Sequence, residues 1–494
     1  MARPPFPRML AEFQLAWPLN DPPDLSWRAG GRARKVENAM YDYDLACVGS
    51  GPAGQRAAIQ AAKLGKRVVV IEKQRRVGGV CVATGTIPSK TLREAVLPFA
   101  ARRPRAEARP TAEQLVSRIG QVVAHEQEVI ADQLGRNDVA LVGGAAVFQD
   151  SHTLAVQTEV GTRKLSAEKI LIAVGTEPAL PTGVAVDGEV VLSSDHVIRL
   201  QQFPRTMAVV GAGVIGIEYA SMFAALGVRV TLIEHRERPL EFVDREIIEE
   251  LIHQMRDRKV TFRLGEAVES VALSVGPPRA AVIMLQSGKR IVADVALFAA
   301  GRVAATRALG LAAAGLSADA RGRLTVDATF CTAVPHIYAA GDVIGYPSLA
   351  ATSSEQGRLA ACKAFGVETA VIGSHLPIGI YAIPEISMVG ASEDELTRGK
   401  VPYETGMARY REIARGQILG DDSGLFKMLF HRETRRLLGV HAIGTGATEL
   451  IHIGQAVLAL DGGLDYFLSA VFNYPTLAEC YKVAALDALN KLRR

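Results

Sequence analysis

Between Leu45 and Glu234 the apolar positions follow one pattern that occurs twice. The first copy opens with Leu45-Ala-Cys-Val48 and turns through Gly49-Ser-Gly-Pro-Ala-Gly54. An Ala-rich stretch follows, and Val68-Val-Val-Ile71 closes the copy before Glu72. The second opens with Met207-Ala-Val-Val210, turns through Gly211-Ala-Gly-Val-Ile-Gly216 and closes with Val230-Thr-Leu-Ile233 before Glu234. Short apolar runs bounded by glycine predict buried strands, and the stretch between them has the length of a helix. The registers agree. Gly49 and Gly65 are 16 residues apart, as are Gly211 and Gly227, and each glutamate lies 23 residues after its first glycine.

In a strand–turn–helix setting each glycine has a task. Gly49 and Gly211 permit the tight turn out of the strand, Gly51 and Gly213 let the backbone approach a pyrophosphate, and Gly54 and Gly216 let helix and strand pack closely. The pyrophosphate would sit on the helix N-terminus, where free N–H groups and the helix dipole favour negative charge. Glu72 and Glu234 would accept hydrogen bonds from ribose hydroxyls. One such turn is a weak signal, because glycine turns are common. Two copies with an acid at the same offset predict two dinucleotide sites, which suits hydride transfer between two cofactors. From about residue 373 the pattern becomes strands followed by helices, with turns such as Leu419-Gly-Asp-Asp-Ser-Gly424.

Composition narrows the class. A chain of 494 residues exceeds one hydrophobic core, so several domains are expected. Hydrophobic residues at 49% and charged residues at 22% are ordinary for a globular protein. A net charge of +4 is too small to mark a nucleic-acid binder, and the basic clusters at 102–105 and 432–436 read as solvated faces. No apolar run has the length of a membrane span. Cys47, Cys81, Cys331, Cys362 and Cys480 are scattered and odd in number, so no zinc site or other metal centre is expected. A reducing, cytoplasmic compartment is expected, and Cys47 and Cys331 read as small core residues. Residues 1–39, rich in Pro and Arg, are expected to be a disordered extension with Met40 as the true initiator. A targeting segment is the rival reading, against which the acids Glu12, Asp21, Asp24 and Glu37 count.

Three further segments carry a resemblance: Gly78-Gly-Val-Cys-Val-Ala-Thr-Gly-Thr-Ile-Pro-Ser-Lys90, Ile172-Ala-Val-Gly-Thr-Glu-Pro178 and Thr332-Ala-Val-Pro-His-Ile-Tyr-Ala-Ala-Gly-Asp342. With the repeat they resemble the pyridine nucleotide-disulfide oxidoreductases, over nearly all of residues 41–494. The resemblance implies an α/β chain with two Rossmann-like domains, for FAD and for NAD(P), plus a C-terminal α+β dimerisation domain. It divides the chain into an FAD domain at 40–190 and 309–372, an NAD(P) domain at 191–308 and a dimerisation domain at 373–494. It implies that Glu72 holds the FAD adenosine ribose and Asp342, after Gly341, the ribityl chain. Gly79, Cys81, Thr86 and Gly175 would lie along the flavin, with Gly301 and Arg302 also against cofactor. Lys90 and Glu218 would pair beside the flavin, and a homodimer, or a higher oligomer, is implied.

Two positions depart from the disulfide reductases. Their Cys-x-x-x-x-Cys is reduced here to Cys81 and Thr86, and their C-terminal histidine is Tyr474, in the retained frame Pro475, Thr476 and Glu479. A hydroxyl cannot replace a thiolate in disulfide exchange, and a phenol is a poor base near neutral pH. Gly345-Tyr-Pro-Ser-Leu-Ala and Phe472-Asn-Tyr-Pro-Thr resemble the soluble, Si-specific pyridine nucleotide transhydrogenases, the FAD branch that departs at these positions. That branch implies ping-pong hydride transfer from NADPH to NAD through flavin N5, with Lys90, Glu218, Tyr474 and Glu479 as catalytic residues. An NAD(P)H diaphorase or oxidase, or a dihydrolipoamide-dehydrogenase-like flavoprotein, is the alternative. At Glu234 the carboxylate favours the 2′-hydroxyl of NAD and would repel a 2′-phosphate by on the order of 4 kcal/mol. Arg236 and Arg238 either offset that repulsion or form a solvated loop face.

Overall fold

The computed structural model describes residues 40–100, 110–180, 183–274, 276 and 278–493. The expected extension at 1–39 and the basic cluster at 102–105 lie outside the described residues.

Each copy of the repeat folds as strand, helix, strand. The strand Tyr43–Val48 leads through the glycine turn into the helix Pro52–Lys63 and on to the strand Val68–Glu72, which pairs in parallel with the first. The first strand starts at Tyr43, two residues ahead of Leu45, and Tyr41 stacks on His152. All five residues of Val68–Glu72 are buried, as a continuous apolar run in a sheet covered on both faces requires. The sheet runs, in order, Ala140–Gly143, Val68–Glu72, Tyr43–Val48, Gly161–Ile172, Thr153–Thr158 and Ala145–Phe148. The late strand Ile337–Ala339 pairs in parallel with Gly161–Ile172, so the chain returns to this sheet after the second unit.

The second unit is a five-stranded parallel sheet ordered Thr261–Leu264, Arg229–Glu234, Thr206–Val210, Val295–Phe298 and Val191–Ser193. Its first helix, Val214–Ala225, is buried from Gly216 onward, and Glu218 is its one charged residue. An acid on a helix without a polar face has to find a partner inside the protein. The two units are joined where Thr176–Pro178 pairs antiparallel with Arg302–Ala304, with Val303 opposite Glu177. The last strand of the second sheet ends at Phe298, ahead of the expected boundary at 308.

The C-terminal unit is an antiparallel sheet ordered Ile378–Ile380, Ile386–Gly390, Leu437–Ile443, Leu425–His431 and Tyr403–Arg409. The helices Ala447–Ala459 and Glu479–Leu492 cover it around Phe426, Phe430, Phe467 and Tyr481. A lysine is sealed in this unit. Lys427 is fully buried, and its Nζ lies 3.1 Å from Asp244, 2.6 Å from Glu246 and 2.6 Å from Glu393. Cys47 lies in the core as expected, whereas Cys331 is only half-buried, in an isolated bridge to Tyr338. Among the described residues no helix is long and apolar enough to cross a membrane.

Candidate functional site

A cleft of about 800 Å³ opens at the carboxyl end of the first sheet. Gly49, Gly51, Glu72, Gly79, Cys81, Thr86, Gly175, Gly341 and Asp342 all line it. The open crevice of an α/β sheet is where a dinucleotide is expected.

The glycines divide by what would block them. A Cβ on Gly54 would fall 1.9 Å from the carbonyl oxygen of Gly49, and one on Gly216 1.9 Å from that of Gly211. Those two positions are closed by the fold itself. Gly49 and Gly211 have φ of +106° and +101°, with a backbone oxygen in the path of any side chain. Gly51 and Gly213 differ: a Cβ at either meets nothing within 4 Å. The protein does not use that space, and a pyrophosphate drawn close to the backbone would fill it. Both glycines stand at helix N-termini that no side chain caps, so the first amides remain free for an anion. The residues present therefore fit a dinucleotide in each unit.

The glutamates fasten the glycine turns. Glu72 Oε2 accepts the Ser50 amide at 2.9 Å and its hydroxyl at 2.5 Å, and Oε1 accepts the Gln74 amide at 2.8 Å. Glu234 Oε2 accepts the Ala212 amide at 2.6 Å, and Oε1 accepts both the amide and Nε of Arg236 at 3.1 Å. Burial works to raise the Glu234 carboxyl, but the Arg236 and Ala212 hydrogen bonds prevail and hold it below the usual range. Arg238 is turned away to Asp394 at 3.1 Å, so it does not flank Glu234 as the sequence reading allowed.

Cys81 lies on the short helix Gly79–Ala83, and Thr86 begins the helix Thr86–Ala100. Burial pushes the Cys81 thiol up, opposed in part by a hydrogen bond with Thr86. Lys90 follows one turn later on the same helix. Its Nζ donates to both oxygens of Glu218, at 3.0 and 2.9 Å, and lies 5.0 Å above the Tyr381 ring. Glu218, 4% exposed at its side chain, also accepts the Tyr381 amide at 2.8 Å. Asp342 accepts from the Ser353 hydroxyl at 3.3 Å, and burial raises its carboxyl, so a further hydroxyl donor would be welcome there. Arg302 donates to Thr176 Oγ1 and to its carbonyl, both at 2.9 Å, and Ala179 donates to the Gly301 carbonyl. These bonds hold the ribbon between the units.

Tyr474 and Glu479 are not brought to this cleft. Tyr474 is 66% exposed, and Glu479 Oε2 is buried without a hydrogen-bond partner among the described residues. Sequence reasoning missed Ser50, which anchors Glu72; Tyr381, which braces the Lys90 pair from residue 381; and His235 beside Glu234. Ser50 lies between the first two glycines and could have been read there. Nothing local marks Tyr381.

Known proteins resemble this chain in sequence and in fold. Residues 43–357 match the pyridine nucleotide-disulphide oxidoreductases, and residues 376–485 match the dimerisation domain of the same group. The soluble pyridine nucleotide transhydrogenase of Mycobacterium bovis (strain BCG / Pasteur 1173P2) is 52% identical over 464 residues, covering 92% of this chain and 98% of that protein. That of Hahella chejuensis is 44% identical, covering 92% of this chain and 100% of its own length. Among solved structures, the HOCl-induced flavoprotein disulfide reductase RclA of Escherichia coli superposes with a TM-score of 0.83 at 25% identity, over 90% of this chain and 99% of that one. LpdA of Mycobacterium tuberculosis gives the same TM-score at 27% identity, over 90% of this chain and 98% of that one.

Proposed function

The chain belongs to the pyridine nucleotide-disulphide oxidoreductase family, and from that premise we propose that it transfers hydride between NADPH and NAD, as an FAD-dependent, Si-specific transhydrogenase. The observation that carries this reading is Thr86, a hydroxyl that lines the cleft together with Cys81 where a dithiol would need its second sulfur. Bound FAD supplies the reversible two-electron step, which makes a protein sulfur unnecessary.

The chain's own residues bind and orient. The free amides at the start of Pro52–Lys63 would hold the flavin pyrophosphate, Glu72 its adenosine ribose and Asp342 its ribityl chain. Lys90, fixed by Glu218, would set a positive charge beside the ring where negative charge develops. Gly211, Gly213, Gly216 and Glu234 would hold the two nicotinamide dinucleotides in turn, giving ping-pong kinetics. Residues 40–190 and 309–372 would form the flavin unit, 191–308 the nicotinamide unit and 373–494 the dimerisation unit. The orphaned Glu479 oxygen and exposed Val471 and Tyr474 support completion of the site by a second copy in a homodimer. All five cysteines are free thiols, which supports the cytoplasm as its compartment.

The test is anaerobic. NADPH should bleach the yellow protein, and thio-NAD added afterwards should restore the colour with formation of reduced thio-NAD. Colour that returns only with oxygen or a quinone would make the protein a diaphorase. A companion variant, Thr86→Cys, restores the sulfur spacing. It should form a disulfide with Cys81 and leave four titratable thiols, against five in the parent. Lipoamide reduction should stay at background, because Tyr474 stands where the disulfide reductases keep their histidine base. Rapid lipoamide turnover by this variant would show that the sulfur alone was missing.

A further inference from the structure

One loop of the C-terminal unit ties together the two helices that carry Lys90 and Glu218. It joins the strand Ile378–Ile380 to the strand Ile386–Gly390. Its Tyr381 amide donates to Glu218 at 2.8 Å and its Ile383 amide to the Ser221 hydroxyl at 3.0 Å, both on the helix Val214–Ala225. Its Ala382 carbonyl accepts Arg93 Nε at 3.0 Å, and Glu385 pairs with Arg93 Nη2 at 2.9 Å, so the loop also grips the helix Thr86–Ala100.

The Tyr381 ring lies beside two cations of that second helix. Arg93 Cζ is 5.8 Å from the ring centroid and Lys90 Nζ is 5.0 Å from it. Residues three apart share a helix face, but these two are not equally free. Arg93 is 6% exposed, and its guanidinium is engaged by Ala382, Glu385 and Glu94. Lys90 is 26% exposed, and besides Glu218 it has the Ser89 hydroxyl at a long 3.4 Å. An ammonium on a flexible four-carbon stem can swing about a single carboxylate and still keep its ion pair. An aromatic face attracts the cation and confines it to one side.

We propose that the Tyr381 ring is a positioning residue for hydride transfer. Arg93 fixes the ring, the ring fixes the Lys90 ammonium on Glu218, and a loop of the C-terminal unit thereby sets the charge beside the flavin. The proposal rests on the reading that Lys90 flanks the flavin. The Glu218 bond comes from the backbone of residue 381, so the ring can be removed by substitution while that amide stays.

The test is the midpoint potential of the bound flavin, read beside the rate at which NADPH bleaches it in stopped flow. Tyr381→Leu should slow bleaching by about 3- to 30-fold, the worth of one partly solvated cation–π contact. It should lower the potential by about 15 to 45 mV, the same factor at about 30 mV per decade for two electrons. Tyr381→Phe keeps the ring face and should recover most of both. In a Lys90→Met background, Tyr381→Leu should leave the potential where Lys90→Met alone puts it, because the ring acts through the ammonium. If Tyr381→Leu sheds its flavin, Tyr381→Met, which fills the site without a π face, carries the same expectations. A Tyr381→Leu protein with the parent's potential would overturn the proposal. So would a potential that falls as far with Lys90→Met present as without it. If Lys90→Met itself leaves the potential unchanged, the reading of Lys90 beside the flavin falls, and the role of Tyr381 falls with it.

Discussion

Replacing Lys90 with methionine will slow hydride transfer from NADPH to thio-NAD by on the order of 10²- to 10³-fold, the usual cost of removing one preorganised electrostatic stabiliser. The geometry behind this is a short chain of supports. Tyr381 donates its amide to Glu218, Lys90 Nζ donates to both Glu218 oxygens, and Lys90 lies one turn after Thr86 on the same helix. Lys90 is the more exposed partner, at 26%, so its own solvation limits what the pair adds to stability. Glu218 is in the opposite position. With methionine opposite it, a carboxylate on an apolar helix keeps one amide donor and no cation. Two variants separate the roles. Lys90→Arg keeps the charge and should recover much of the rate, whereas Glu218→Gln keeps a hydrogen-bond acceptor without fixing the ammonium and should fall between. Flavin retention, read from the absorbance of the gel-filtered protein, should survive all three. A Lys90→Met protein with normal flavin content and a rate within about threefold of the parent would remove Lys90 from the chemistry.

Lys427→Met carries the largest expected effect on stability. Three carboxylates converge on that one ammonium, and Asp244 beside it is as fully buried as the lysine. Removing one partner of a buried ionic cluster costs roughly 3–5 kcal/mol, because Asp244 is left with neither water nor a counter-ion, while Glu246 and Glu393 keep part of their solvation. The melting temperature should fall by roughly 5–10 °C. The site also joins two units. Asp244 caps the helix Arg245–Asp257 of the second unit, whereas Lys427 lies on a strand of the C-terminal sheet. Limited proteolysis should therefore cut near this junction first in the variant. The double variant Lys427→Met with Asp244→Asn should recover part of the loss, since one uncompensated charge is removed. An unchanged melting curve for Lys427→Met would mean that the carboxylates find water or protons at no cost.

The repeat was legible in the sequence because its physics is local. A glycine on which a Cβ would fall 1.9 Å from a neighbouring carbonyl oxygen, such as Gly54 or Gly216, can be nothing else, and a strand buried on both faces shows as an unbroken apolar run. Glu218 was partly legible for a related reason, as the single charge on an otherwise apolar helix. Long-range pairings left no such trace. Lys427 lies in Leu425-Phe-Lys-Met-Leu-Phe430, where nothing announces acids from residues 244, 246 and 393. The role of Tyr381 depends on contacts with residues 90 and 218, which no spacing rule connects. At Glu234 the sequence showed an acid followed by arginines but not which arginine turned back. That choice was made by Asp394, which draws Arg238 away.

The antiparallel ribbon of Thr176–Pro178 with Arg302–Ala304 has a consequence for ancestry and for engineering. The chain leaves the first sheet and comes back to it through two neighbouring, mutually hydrogen-bonded strands, so everything from Val191 to Phe298 is an insertion whose ends meet. A module entered and left at one doorway can be duplicated, lost or exchanged without disturbing the host sheet. A cassette grafted at that doorway would have to bring its own equivalents of Glu218 and Asp244, whose partners Lys90 and Lys427 stay behind in the host.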